Sequence, residues 1–345
     1  MPERERAGRH DWRAAVAMIG LRYDLRVPDF ASTTHAAQYR ACLEQCAWAD
    51  ERGFDLVVLS EHHGTEDGYM PAPVTLAAAI AGCTRRVQMT IAALLVPLHD
   101  PVRLAEELAT LDLASGGRAG FVAGLGYRYE EFEMAGVDRS RRGALLEEYV
   151  DVMRTAWTGE PFEWRGRTVR VTPTPVSKPH PLVLIGGSTE RAARRAARLN
   201  LGFFPAIGDP ALAAVYEEEC REVGFTGGFV SLPNGPGMVL VSEDPERTWA
   251  RIAPHAYFDA QTYADWQTPG QRSAVHVDPA GLDDPELRRV YRVVTPDECV
   301  ALVEEQGPFG SVVLHPLMGG IDPDTAWEGL ELFAAKVLPR VKPGS

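Results

Sequence analysis

Three short runs in the chain carry residue types at spacings that could do chemistry. Ser60-Glu61-His62-His63 sets two imidazoles beside a carboxylate. An imidazole titrates close to neutral pH, so this run offers a general acid or base. Gly124-Leu125-Gly126-Tyr127 and Gly186-Gly187-Ser188-Thr189 are glycine turns. The second precedes an Ala/Arg-rich stretch, where small residues and the free amides of a helix N-terminus could receive a phosphate. The plainer reading of Ser188 and Thr189 is a helix cap. Arg191, Arg194, Arg195 and Arg198 recur at helical spacing and read as a solvated face.

Other chemistries fall away. Tyr129 occupies the place of the third glycine of a dinucleotide fingerprint, and no serine-hydrolase elbow, Walker loop or HExxH run is present. On a strand, His62 and His63 should point in different directions, which weakens a dinuclear metal reading that would want an HxH spacing, and no metal is expected. Five cysteines form no CxxC pair. Cys42 and Cys46, four apart, could supply half a metal site, but read better as buried reduced thiols.

Elements must hold these runs in place. Short apolar runs at 16–21, 54–59, 87–96, 119–123, 182–185, 201–204, 238–241 and 311–314 read as strands. Helical periods follow them at 35–52, 72–82, 101–114, 139–158, 189–198, 210–223, 296–305 and 325–337, with a hairpin excursion at 161–171. Continuous apolar strands alternating with amphipathic helices imply a parallel sheet covered on both faces. Eight such units predict a (β/α)8 TIM barrel, with a doubly wound open sheet as the alternative. All three runs then fall at C-terminal strand ends, where barrel active sites gather.

The chain has 345 residues and a net charge of −13, which disfavours nucleic acid and anionic membrane as partners. No apolar stretch is long enough to cross a bilayer. Residues 1–14 are charged, lack the apolar core of a signal peptide and read as a loosely held arm, so a cytoplasmic location is expected. Residues 15–345 then form one barrel with a lid segment near 242–291, whose most mobile part should lie at about 260–284.

Four stretches in one order, GFDLVVLSEHH, PVRLAEELATLDLASGGRAGFVAGLGYRYEEFEMAGV, RAARRAARLNLGFFP and SVVLHPLMGG, make the chain resemble the bacterial luciferase-like flavin-dependent oxidoreductases. The resemblance implies a luciferase-like (β/α)8 barrel, usually a homodimer, with flavin across the strand ends. Luciferase-type members take reduced FMN from a separate flavin reductase and use dioxygen to oxygenate a small-molecule substrate. Others use the deazaflavin coenzyme F-420 and transfer hydride. Glu-His-His at the second strand is closer to the FMN branch. A family member that binds flavin without turnover is the third reading.

By the same resemblance His62 is the catalytic imidazole. Glu61, Ala92, Ala93, Ala123, Gly124, Gly186, Gly187, Ser188 and Thr189 lie against the cofactor, with a non-prolyl cis peptide between Ala92 and Ala93. Tyr23, Tyr127 and Phe204 are expected to face substrate, in a mouth that also gathers Leu21, Tyr69, Met70 and Phe203. Luciferase carries a Cys-Arg pair at the end of strand four, its arginine on the flavin phosphate. Ala123 and Gly124 stand there instead, so another cation or the helix N-terminus must serve.

Overall fold

The computed structural model describes residues 17–232, 237–268, 272–273, 277–307 and 310–342. The expected arm at 1–14 lies outside them, and the stretch expected to be most mobile falls partly outside them, at 269–271 and 274–276. The first half alternates strand and helix as β1 (Met18–Tyr23), α1 (His35–Glu51), β2 (Leu56–Leu59), α2 (Pro73–Cys83), β3 (Gln88–Leu94), α3 (Pro101–Ser115) and β4 (Ala119–Ala123). Then come α4 (Tyr129–Ala135), α5 (Arg142–Ala156) and the antiparallel hairpin β5 (Phe162–Trp164) and β6 (Arg167–Val169). The second half continues with β7 (Leu182–Gly187), α6 (Glu190–Arg198), β8 (Gly202–Pro205), α7 (Pro210–Val223), β9 (Val239–Val241) and α8 (Pro245–Asp265). It ends with α9 (Pro285–Val290), β10 (Arg292–Val294), α10 (Pro296–Gln306), β11 (Ser311–Leu314), α11 (Pro323–Leu332) and α12 (Leu338–Val341).

Every neighbouring pair in the large sheet is parallel, in the order β10-β9-β11-β1-β2-β3-β4-β7-β8. The last barrel strand, β11, therefore returns to pair with the first. The sheet has nine strands rather than eight, because Arg292–Val294 adds to the side of β9. Three residues are too few to show a period, which is why the sequence pattern passes over them. Within the segment read as a lid, Pro245–Asp265 forms a helix of 21 residues.

A repeated signal starts the helices. Asp100, Asp209, Asp244 and Asp322 each cap the helix that follows with a side-chain oxygen, and each is followed by proline. Thr295 forms a reciprocal capping box with Glu298. Proline suits the first helical position because its missing N–H would have no partner there.

Period-two alternation sorts the strand residues. Ile19, Leu21 and Tyr23, Val57 and Leu59, Met89 and Ile91, Phe121 and Ala123, and Val183 and Ile185 all belong to one core between sheet and helices. Residues between them, Arg22, Ser60 and Gly186 among them, take the other side of the sheet. Tyr23 and Leu21 therefore do not reach the mouth, contrary to expectation. The Tyr23 hydroxyl donates to Gln45 on α1 at 3.1 Å.

Asp50, near the end of α1, ties the helix layer to the sheet. Its carboxylate accepts the backbone N–H groups of Arg85, Arg86 and Val87 at 3.0, 2.7 and 2.7 Å. Burial works against the charge, but these three donors hold its pKa below the usual value. Asp50→Ala would leave the amides unpaired and is expected to destabilise the fold by about 3 kcal/mol. A urea midpoint that falls without a change of slope checks this. The wild-type contribution is present above the ordinary aspartate pKa and is lost as pH falls through the lowered one.

Candidate active site

The chain leaves β2 as Ser60-Glu61-His62-His63, and alternation splits the run. His62 is buried, with Nδ1 2.8 Å from Oε1 of Glu131 on α4. That carboxylate also accepts the backbone N–H of His63 at 3.1 Å and lies 3.4 Å from Nη1 of Arg128. A carboxylate facing Nδ1 makes that nitrogen the N–H donor, which leaves the lone pair on Nε2. Nε2 faces the Tyr127 hydroxyl at 3.4 Å. Burial lowers the His62 pKa; Glu131 opposes the shift, and the charges of Arg128 and Arg26 add to it. The imidazole is therefore neutral at neutral pH.

Aromatic rings line this pocket. Tyr69, Tyr127 and Tyr263 meet His62 edge-on at centroid distances of 4.8, 5.5 and 6.1 Å, and the Trp266 ring is tilted against it at 4.8 Å. Arg128 stands 4.2 Å over the Trp266 ring. Beneath them Arg26 is fully buried and pairs with Asp67 at 2.5 Å and Asp259 at 2.6 Å. Tyr291 donates to the other oxygen of Asp259 at 2.7 Å. Arg22, on the inward side of β1, donates to Ser60 at 3.2 Å.

Glu61 and His63 occupy the opposite side of the same run. Nε2 of His63 and Nε2 of His99 lie 2.8 and 2.7 Å from Oε1 of Glu61, whose Oε2 accepts the Leu95 N–H at 2.6 Å. Burial alone would raise the Glu61 pKa, yet these hydrogen bonds bring it down to about 2.

Small residues pack closely at the strand ends. The Ala92–Ala93 peptide is cis, as the resemblance implies. A Cβ on Gly124 would sit 2.7 Å from the Ala93 Cβ, and one on Gly186 would sit 2.8 Å from Val122. Gly187 has φ +150, and a Cβ there would meet Ala192 at 2.5 Å, so the turn into α6 admits only glycine without a shift. Thr189 caps α6 through Ala192 N–H at 3.3 Å, which fulfils the plainer reading of that run. Arg272 lies over the same turn, its guanidinium 3.3 Å from the Ser188 carbonyl. On α5, Arg142 is held below the usual arginine pKa, first by burial and then by Arg139 and Arg195. Phe204 pairs in register with Gly186 and alternates with Phe203, whose ring stacks on Tyr216 of α7. Ala123 is fully buried in the helix-facing core, so its side chain does not join them.

A profile of the luciferase-like monooxygenase family matches residues 26–305. The chain belongs to this family. It is 32% identical to the alkanal monooxygenase alpha chain of Photorhabdus luminescens over 51% of each chain. It spans about half the length of the curated relatives it matches. Among solved structures, the monooxygenase RslO1 of Streptomyces bottropensis superposes with a TM-score of 0.73 at 24% identity, over 94% of this chain and 99% of that one. The oxygenating constituent of 3,6-diketocamphane monooxygenase from Pseudomonas putida, solved with FMN, gives 0.69 at 19% over 94% and 99%. An F-420-dependent secondary alcohol dehydrogenase, solved with an F-420–acetone adduct, gives 0.68 at 18% over 95% and 99%. These likenesses place the chain in the luciferase-like barrel fold.

The structure thus brings His62, Tyr127, Gly124 and the Gly186–Thr189 turn to the strand ends of the luciferase-like barrel, and sends Tyr23 and the Ala123 side chain to its helix side. Sequence reasoning missed Glu131, Tyr263, Trp266, Arg26 and His99. Only Glu131 left a signal, an acid on a short helix just after the strand-four turn. Arg26→Ala would strand Asp67 and Asp259 as buried charges, with an expected loss of about 3–5 kcal/mol. Calorimetric melting of the variant beside the wild type measures it.

Proposed function

We propose that the chain is a flavin-dependent monooxygenase that uses reduced FMN and dioxygen to oxygenate a small organic substrate. The observation that carries the reading is the neutral His62, its Nδ1 on Glu131 and its Nε2 turned to an aromatic mouth beside strand ends of small residues. Ala92, Ala93, Gly124 and Gly186 keep the strand ends free of large side chains, which suits a planar ring system laid over them. Reduced flavin would supply the electrons that activate dioxygen for transfer to the substrate. The phosphate of FMN would lie at the turn after β7, over the N-terminus of α6, with the helix dipole as counter-charge. That arrangement replaces the strand-four arginine of luciferase. In this reading a separate reductase supplies the reduced flavin and the protein works as a cytoplasmic homodimer.

The protein's own groups have distinct tasks. Glu131 holds the imidazole in one tautomer and orientation. Nε2 of His62 takes a proton at the mouth and returns it, and Tyr127 stands within reach to pass it on. Tyr69, Tyr263 and Trp266 exclude water from that exchange. The F-420 reading remains the alternative, favoured by the fold of the secondary alcohol dehydrogenase. Turnover with photoreduced FMN, with and without dioxygen, separates the two. Oxygen consumption coupled to substrate loss supports the proposal, whereas reduction of F-420 by an alcohol in the absence of oxygen refutes it.

Two variants test the parts. His62→Ala is expected to keep flavin affinity and lose about 10²–10⁴-fold in kcat. In wild type, kcat/KM should rise with pH through a limb below the ordinary histidine pKa, because protonated His62 cannot accept a proton. Glu131 raises that pKa, so Glu131→Gln should move the limb to still lower pH while reducing the plateau. A limb that moves up instead would assign it to another group. Gly187→Leu should weaken FMN by about tenfold or more, the 1.4 kcal/mol step expected when an anion loses its helix N-terminus. Fluorescence quenching of FMN reads the affinity directly.

A further inference from the structure

Glu61, expected against the cofactor, turns away from His62 toward His63 and His99, so the flavin reading leaves this cluster of ligating groups unused. Glu61 and His63 are two residues apart, so they leave the strand end on the same side, opposite to His62. The turn between β3 and α3 brings His99 to them. Both imidazole Nε2 atoms approach a single oxygen, Oε1 of Glu61, at 2.8 and 2.7 Å. The three ligand atoms all lie within 4.8 Å of one another. Adjacent His62 and His63 turn apart, but the second imidazole comes from the turn after β3.

The geometry points to a binding site for a divalent first-row transition ion, held by Nε2 of His63, Nε2 of His99 and Oε1 of Glu61. With metal–ligand bonds of ~2.1 Å, nitrogen–oxygen separations of this size subtend roughly 80–85° at the ion. That is the angle between adjacent octahedral positions and is narrower than a tetrahedral one. Two imidazoles and a carboxylate suit Fe²⁺, Co²⁺ or Ni²⁺ better than Mg²⁺ or Ca²⁺, which take oxygen donors, and the two nitrogens, within 4.8 Å of each other, would draw together around the ion. Glu61 is buried while His63 and His99 are partly open, so water can fill the free positions from the solvent side. The Leu95 N–H on Oε2 fixes the carboxylate's orientation, as outer partners of metal ligands do. In the ion-free state the imidazoles hydrogen-bond Glu61 through Nε2–H. On binding, each ring keeps its proton by moving it to Nδ1. The ion would fasten the end of β2 to the turn after β3, on either side of His62.

The test uses the full chain after chelator treatment, with Co²⁺ as the probe. Calorimetric titration should give one equivalent at micromolar affinity, and the melting temperature should rise with Co²⁺. A crystal soaked in CoCl₂ should show its anomalous peak between the three ligand atoms. His99→Ala, a change at a partly exposed side chain, and Glu61→Gln should each weaken binding by about 100-fold or more. Circular dichroism of both variants separates lost binding from lost fold, and His99→Ala carries the test should Glu61→Gln fail to fold. No heat and no melting shift at about 0.1 mM Co²⁺ overturns the proposal. So does binding that survives in a folded variant, or an anomalous peak elsewhere.

Discussion

Two adjacent side chains on a strand cannot turn to the same side, and the chemistry of this protein is arranged around that constraint at the end of β2. Glu61 and His63 go one way and His62 goes the other. His62 is thereby delivered alone into an aromatic pocket, where burial keeps it neutral and Glu131 sets its tautomer. On the far side a buried carboxylate gathers two imidazoles and an amide. Glu61 and Glu131 thus brace the same run from opposite flanks. Glu131 also accepts the His63 amide, so the backbone between the two histidines is itself held.

The floor of the mouth follows a different rule. Charges removed from water must be paired, or the fold loses more than it gains. Arg26 meets that requirement by linking Asp67, just past β2, to Asp259 on α8. Phe258 from the same helix lies 4.7 Å from its guanidinium, so the pair is covered by rings as well as matched in charge. This helix, within the segment read as a lid, is therefore anchored through buried ions to the chain that follows β1 and β2. Tyr263 and Trp266 reach His62 from the last turn of that helix, and their placement depends on the anchor.

Much of the frame was legible in the chain because local rules decide it. Asp-Pro and Thr-Pro pairs started helices where they stood, and the apolar runs became strands within a few residues of their expected bounds. Alternation alone was enough to send His62 and His63 apart. The same rule, applied to β1, would have turned Tyr23 to α1 and Arg22 to the mouth; the aromatic character of Tyr23 suggested otherwise. The long-range partners left almost no local trace. Glu131 and His62 are 69 residues apart, and Arg26 and Asp259 are 233 apart. Nothing in the neighbourhood of either member names the other. Arg292–Val294 shows the remaining limit, since a strand of three residues becomes a strand only because β9 offers it an edge.

The small residues at the strand ends join these rules to the family's chemistry. At position 124 a side chain would meet the Ala93 Cβ at 2.7 Å, so the place that holds arginine in luciferase is closed to any side chain while Ala93 sits where it does. A cation needed there must come from outside the strands. The helix layer that follows in chain order carries arginines: the start of α5 packs on α6, with the guanidinium of Arg195, itself paired with Glu147 at 2.7 Å, 2.9 Å from where a Gly143 side chain would begin. Arg139 and Arg195 add to burial in holding the Arg142 pKa down, so positive charge is crowded at this corner. Moving the positive charge from strand end to helix leaves the strand ends flat. Under the proposed function, a flat strand end would admit the ring system and a helix-borne charge would meet its phosphate. The exchange of arginine for glycine therefore reads as a redistribution of the same two tasks between sheet and helices.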